Sequence, residues 1–249
     1  MSKQNGYHWE PTQRWVRVKF GGEFVADSRQ ALIVWEGGGS RIYYYFPQED
    51  VRQEFLVETG RSGKGRQSWH VKVGEQQADN AAWSYDEAPD GLSGIEGYIA
   101  FRWNKMDHWY EEAEEQFVHP RDPYKRVDTI PSSRHVRVEI DGVTVADTKR
   151  PFLLFETDLP TRYYIPAEDV DMALLQPTDS HTTCPYKGVA SYWSVRVGDK
   201  VYKDIVWSYP EPIPEAPKLK NLLSFYNEKV DIFVDNVKEE RPSTPWSVQ

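Results

Sequence analysis

Seven side chains in the C-terminal half of the chain carry most of the chemistry that its sequence could perform. Cys184 precedes Lys187 by three residues, and that charge would favour a nucleophilic thiolate. A lone cysteine packs equally well as a small apolar side chain. Arg137 and Arg162 fall on the strand faces opposite the expected core, and Arg162 shares its face with Tyr164. On a curved sheet such arginines clamp a carboxylate or phosphate through a bidentate fork. On a solvated face they pair with acids such as Glu156 or Asp147. The Lys187-Gly188 turn could offer backbone N–H groups and a cation to an anion, although an ordinary β-turn is spelled the same way. Glu228 has the type of a general base. Tyr209 would complete a ligand-lining set, or serve as core. The six histidines lie in separate stretches and do not fall at metal-ligand spacing, so no metal site is expected.

Two copies of one pattern must position these residues. Arg134-His135-Val136-Arg137-Val138 echoes Arg14-Trp15-Val16-Arg17-Val18, and Tyr163-Tyr164-Ile165-Pro166 echoes Tyr44-Tyr45-Phe46-Pro47. Trp193, Trp207-Ser208-Tyr209 and Phe225 match Trp69, Trp83-Ser84-Tyr85 and Phe101. A repeat of roughly 120 residues has the length of a duplicated domain. The aromatic pairs retained in both copies read as core. Arg137 pairs with Arg17 in this comparison, and Arg162 with Arg41, the second pair out of register but on one face by strand parity. The copies differ where chemistry would matter. Cys184-Pro185-Tyr186-Lys187-Gly188 stands against Arg61-Ser62-Gly63-Lys64-Gly65, and Glu228 against Asn104. Asp231 has a counterpart in Asp107, which suggests a turn-holding role for both.

Within each copy, alternation such as Val16, Val18 and Phe20 against Arg17 and Lys19 predicts half-buried strands. Gly21-Gly22 predicts a hairpin. Pro47, followed by Glu49 and Asp50, suits the start of one short helix, with Val51 and Phe55 as an i,i+4 pair. The expected class is mainly β: two homologous compact β-domains, each with one short helix. Their spans are 14–110 and 134–237. An arm (1–13), an ordered linker (111–133) and a tail (238–249) complete the chain, the tail packing through Trp246 alone. The two domains are expected to pack against each other.

Composition narrows the partners. A net charge of −9 lacks the basic footprint that a nucleic-acid groove needs. No apolar run is long enough to span a bilayer as a helix, and the first residues lack a signal-peptide hydrophobic stretch. A single cysteine excludes an intrachain disulfide. The expectation is a cytoplasmic protein with neither nucleic-acid nor membrane partners. No motif specifies a cofactor.

The motifs Ser133-Arg134-His135-Val136-Arg137-Val138, Arg162-Tyr163-Tyr164-Ile165-Pro166, Thr183-Cys184-Pro185-Tyr186-Lys187-Gly188, Trp207-Ser208-Tyr209 and Phe225-Tyr226-Asn227-Glu228-Lys229-Val230-Asp231 resemble the family called domain of unknown function 427. The linker stretch His119 to Asp128 is similar to its tandem form. The resemblance covers nearly the whole chain and implies a compact β-domain akin to the β-tent folds of small zinc proteins. It also carries a nucleotidyltransferase-like label, yet the sequence offers no phosphate loop in Walker spacing and no paired-carboxylate metal site. The expectation is a pocket for a small anionic ligand in the second domain, lined by Arg137, Arg162, Tyr164, Lys187 and Tyr209. Cys184 and Glu228 are its catalytic candidates, for transfer or hydrolysis. The alternative is a non-enzymatic module that binds a protein or a planar metabolite.

Overall fold

The computed structural model describes residues 7–37, 41–62 and 65–247. The chain divides into two compact units, Met1–Asp122 and Pro123–Gln249. The strands of the first are β1 (His8–Pro11), β2 (Val16–Phe20), β3 (Glu23–Ser28), β4 (Leu32–Glu36), β5 (Arg41–Pro47), β6 (Leu56–Ser62), β7 (Arg66–Val73), β8 (Gln76–Tyr85), β9 (Tyr98–Phe101), β10 (His108–Glu111) and β11 (Glu114–Gln116). Those of the second are β12 (Val127–Pro131), β13 (Val136–Ile140), β14 (Val143–Thr148), β15 (Phe152–Glu156), β16 (Arg162–Ile165), β17 (Leu175–Cys184), β18 (Gly188–Val197), β19 (Lys200–Ser208), β20 (Leu223–Phe225), β21 (Asp231–Val234) and β22 (Val237–Lys238).

Each unit holds a seven-stranded and a four-stranded sheet, with the same order in both units. The large sheets run β1-β4-β5-β9-β8-β7-β6 and β12-β15-β16-β20-β19-β18-β17. The small sheets run β11-β10-β2-β3 and β14-β13-β21-β22. All named pairings are antiparallel, so short hairpins can join neighbours. The β2–β3 turn places Gly21 and Gly22 at φ of 59° and 85°, and β13–β14 places Asp141 and Gly142 at 50° and 78°. Two successive positive φ values are what a two-residue hairpin demands. The Asp107 carboxylate accepts from Gly21 N at 2.7 Å and so holds the first of these turns.

Strand alternation divides the apolar residues between two cores. In the first unit Val16, Val18, Tyr44, Phe46, Ile99, Phe101 and Trp109 fill the space between the large and small sheets. Tyr45, Trp83, Tyr85 and Val34 pack on the opposite face of the large sheet, beneath Leu92 and Ile95 of the loop after β8. The second unit repeats this arrangement. Val136, Tyr163, Ile165, Val206 and Phe225 lie between its sheets. Tyr164, Tyr192, Trp207 and Tyr209 lie beneath Ala216, Leu219 and Leu222. Each large sheet is thus covered on both faces.

Three expectations change. The single helix per unit is absent, and 3-10 turns such as Gln48–Asp50 and Gln53–Phe55 stand in its place. Val51, between those two turns, bridges to Ala26 of β3, so it and Phe55 reach the same core without lying on one helix. The stretch expected as an arm contributes β1, paired to β4. The stretch expected as a linker contributes β11 to one unit and β12 to the other. Pro11 and Pro131 end β1 and β12, which lie at sheet edges where a missing N–H is tolerated.

Candidate functional site

Six of the seven predicted residues come together on the outer face of the large sheet in the second unit. Arg162 enters from β16 and is only 6% exposed. Its guanidinium holds Glu228 in a bidentate fork, with both N–H···O distances at 2.7 Å. A third donation reaches Asn227 Oδ1 at 3.2 Å. Thr244 of the tail donates to Glu228 Oε1 at 2.6 Å, and the Trp246 ring centre lies 5.6 Å from the guanidinium carbon. Burial alone would push the Glu228 carboxyl up. The Arg162 and Thr244 hydrogen bonds outweigh it and hold the group below the ordinary carboxylate range. A base so engaged has little lone-pair capacity left for a substrate proton.

Tyr164, fully buried two residues along β16, accepts a hydrogen bond from Trp207 Nε1 at 3.0 Å. Burial pushes its hydroxyl pKa up, and does the same to Tyr209. Cys184 is half-buried and packs against the apolar cluster that contains Tyr164, Trp207 and Tyr209. Lys187 is buried and ion-paired with Glu156, which also meets Lys125 Nζ at 3.0 Å. Burial raises the Glu156 carboxyl, and the two lysines more than reverse it. Lys187 is therefore spent on an internal carboxylate. Its sequence counterpart Lys64 lies outside the described residues.

Arg137 stands apart, on β13 of the small sheet. Its Nε lies 2.9 Å from Glu139 Oε1 but off the N–H axis, and its guanidinium stacks 4.6 Å from the Phe233 ring centre. Asp147, the acid that could have paired with it, is engaged by His135 at 2.7 Å.

The first unit retains the scaffold and changes the fittings. Trp83 Nε1 donates to Tyr45 at 2.7 Å, as Trp207 does to Tyr164. A guanidinium lies over each indole, Arg102 at 5.5 Å from Trp83 and Arg162 at 5.6 Å from Trp207, and on Trp83 a second one, Arg66, lies nearer still at 4.7 Å. A tyrosine contacts each as well, Tyr43 at 5.0 Å and Tyr226 at 4.6 Å. Strand register makes Tyr43 the counterpart of Arg162, and Arg102 the counterpart of Tyr226. The two side chains have exchanged places around one ring. Where Glu228 sits in the second unit, the first has Asn104, and a cleft of about 310 Å³ opens there. Arg41, Ile42, Tyr43, Arg102, Trp103, Asn104, Val118 and His119 line it.

Among the described residues neither Arg41 nor Arg102 has a carboxylate at ion-pair distance; Glu36 acts on both from farther off. Arg102 Nε donates to Asn80 O at 2.8 Å, which fixes the plane of its guanidinium. The Trp103 ring is held flat on Trp109, with centres 4.4 Å apart and planes 7° apart. Neither Tyr43 nor Arg102 was singled out by the sequence comparison, because each is mismatched in the aligned copies. The usable signal was the Asn104–Glu228 difference. Among the described residues no three of His, Cys, Asp or Glu gather at metal-holding distance.

The family model for the domain of unknown function (DUF427) matches twice, over residues 8–112 and 128–236. The chain belongs to that family. Both matched segments begin at the edge strands β1 and β12, so each repeat includes the strand that pairs with β4 or β15. No curated protein matches the chain. Among the described residues, no helix is long and apolar enough to cross a membrane.

Proposed function

We propose that the protein binds a small anionic ligand in the cleft of its first unit, with Arg41 and Arg102 as cations and Tyr43 and Trp103 as the apolar walls. One observation carries this reading. The same indole–guanidinium–tyrosine arrangement occurs in both units, yet among the described residues only the second pairs its guanidinium with an acid of its own and covers that acid with the tail. Two guanidiniums with no carboxylate at ion-pair distance among the described residues, beside a cleft of about 310 Å³, suit an anion of modest size. The lining supplies cations, an amide and rings, which hold and orient a ligand, so binding is favoured over turnover.

The test is titration calorimetry of the full chain against small carboxylates and phosphates. Binding should weaken at least tenfold in Arg102→Ala and fall with rising salt. Binding unchanged in both Arg41→Ala and Arg102→Ala would sink the reading. A pocket in the second unit, with Cys184 or Glu228 doing transfer or hydrolysis, is less favoured because Arg162, Lys187 and Glu228 already have internal partners. A further depression, lined by Asp231 and residues 238–241, is occupied by the ion pairs of Asp231 with Lys238 and Arg241.

A further inference from the structure

We infer that the ligand of the first-unit cleft is a monocarboxylate carrying a planar ring, bound much as the second unit binds its own Glu228. This rests on the anion-binding reading above and adds the ligand's chemical class. In the second unit the occupant of the matching position is a carboxylate. Its two oxygens take two parallel guanidinium N–H bonds at 2.7 Å each, and a hydroxyl supplies one more at 2.6 Å. That is two-oxygen recognition by a planar fork, and the group it holds in this chain is a carboxylate. A flat ring lies next to it, Trp246 against the Arg162 guanidinium. Three residues of this chain, Glu228, Thr244 and Trp246, thus fill one place with an acid, a hydroxyl and a ring.

The first unit lacks the acid and retains surfaces for the remainder. Asn104 offers amide donors where Glu228 offers oxygens. Arg102 is fixed by its bond to Asn80 O, and its terminal nitrogens remain available to the cleft. Trp103, held by its stack on Trp109 and by Trp109 Nε1 donating to its carbonyl at 3.2 Å, gives a rigid wall for a ring. The charge balance agrees. Arg41 and Arg102 face the cleft, and Glu36, which accepts from Tyr45 at 2.5 Å, lies near enough to offset part of their field. What remains suits one negative charge better than two.

The experiment uses the full chain and six probes: benzoate, phenylacetate, 3-phenylpropionate, acetate, phenyl phosphate and inorganic phosphate. Titration calorimetry gives affinities, and indole N–H shifts in NMR report whether Trp83 and Trp103 sense the probe. At least one aryl carboxylate should bind ten times more tightly than phenyl phosphate or acetate and move the Trp103 signal. Arg102→Ala should weaken it tenfold or more. Tyr43→Arg combined with Asn104→Glu, which installs the second unit's pair, should abolish binding while the melting temperature holds. Tighter, Arg102-dependent binding of phenyl phosphate would overturn the carboxylate class and leave the anion site standing. If no probe moves Trp83 or Trp103, or if Arg102→Ala and the paired variant bind as the wild type does, both readings fall.

Discussion

Removing Glu228 is the sharpest test of the second unit's design. The Arg162 and Glu228 side chains are 8% and 0% exposed, so Glu228→Ala leaves a guanidinium in a poorly hydrated place. Breaking one partner of a buried ion pair costs about 3–5 kcal/mol, much of it for the stranded charge. For a unit of this size the melting temperature moves by roughly 4 °C per kcal/mol, which gives a drop of about 12–20 °C in the second unit's transition. The first unit shows how the loss can be avoided. Arg162→Tyr with Glu228→Asn imports its uncharged pair, and should return to within about 1.5 kcal/mol of the wild type because no buried charge is left unpaired. Differential scanning calorimetry, with urea unfolding followed by tryptophan fluorescence, reads both variants. A loss below about 1 kcal/mol in Glu228→Ala would refute the reasoning. So would a double variant as unstable as the single one.

Other outcomes follow from the same geometry. Deleting the residues after Glu240 removes Thr244 and Trp246 from the Arg162 site, and should lower stability by about 1–3 kcal/mol with faster hydrogen exchange along β16, read by mass spectrometry. Gly188→Ala should cost about 1–3 kcal/mol in urea unfolding, because φ is 107° there and a Cβ would stand 3.1 Å from Glu211 O. Acid should act oppositely through the buried carboxyls of the two units. Burial raises the Glu36 carboxyl, so its ionised form costs the folded first unit stability, and that cost is relieved as pH falls through the raised value, above about 4.5. Glu156 and Glu228 are held low, so their contribution is complete above about 4.5 and is lost only as pH falls through their lower folded values. A pH series of melting curves checks this, with Glu36→Gln expected to abolish the first-unit gain and leave the second-unit loss.

The strands were legible because alternation is a local property. Val16, Val18 and Phe20 point inward as the period of two requires, and Gly21-Gly22 makes the turn its φ values demand. Segment type after Pro47 was misjudged because proline and early acids suit the start of a 3-10 turn as well as that of a longer helix. What decides it there is a long-range bridge, Val51 to Ala26, which no short window contains. The site was half legible. Glu228 against Asn104 marked a place where the two units differ in ion pairing, and the tail, expected to pack by Trp246 alone, is held by Thr244 on Glu228 as well. The partner of Arg162 was sought in Glu156 or Asp147, acids nearer in sequence, whereas Glu228 arrives from the turn after the neighbouring strand β20, 66 residues on. Arg41 drew attention by sharing a residue type with Arg162, but Tyr43 occupies the equivalent position.

The exchange of Arg and Tyr around Trp83 and Trp207 has a consequence for how such domains diverge. Viewed down the columns of an alignment, Tyr43 against Arg162 and Arg102 against Tyr226 are two unrelated mismatches. Viewed from the indole, the exchange keeps one cation and one phenol at this pair of positions, beside the constant Tyr45 or Tyr164 and, on Trp83 alone, a second guanidinium from Arg66. The two positions should therefore drift as a couple. Relatives with arginine at both would add a further like charge over the ring, which on Trp83 already faces Arg66 and Arg102, and relatives with tyrosine at both would leave an acid at the Glu228 position without a counter-ion. Inheritance here acts on the company a ring keeps, and the residue at a given position is free to change so long as its neighbour answers.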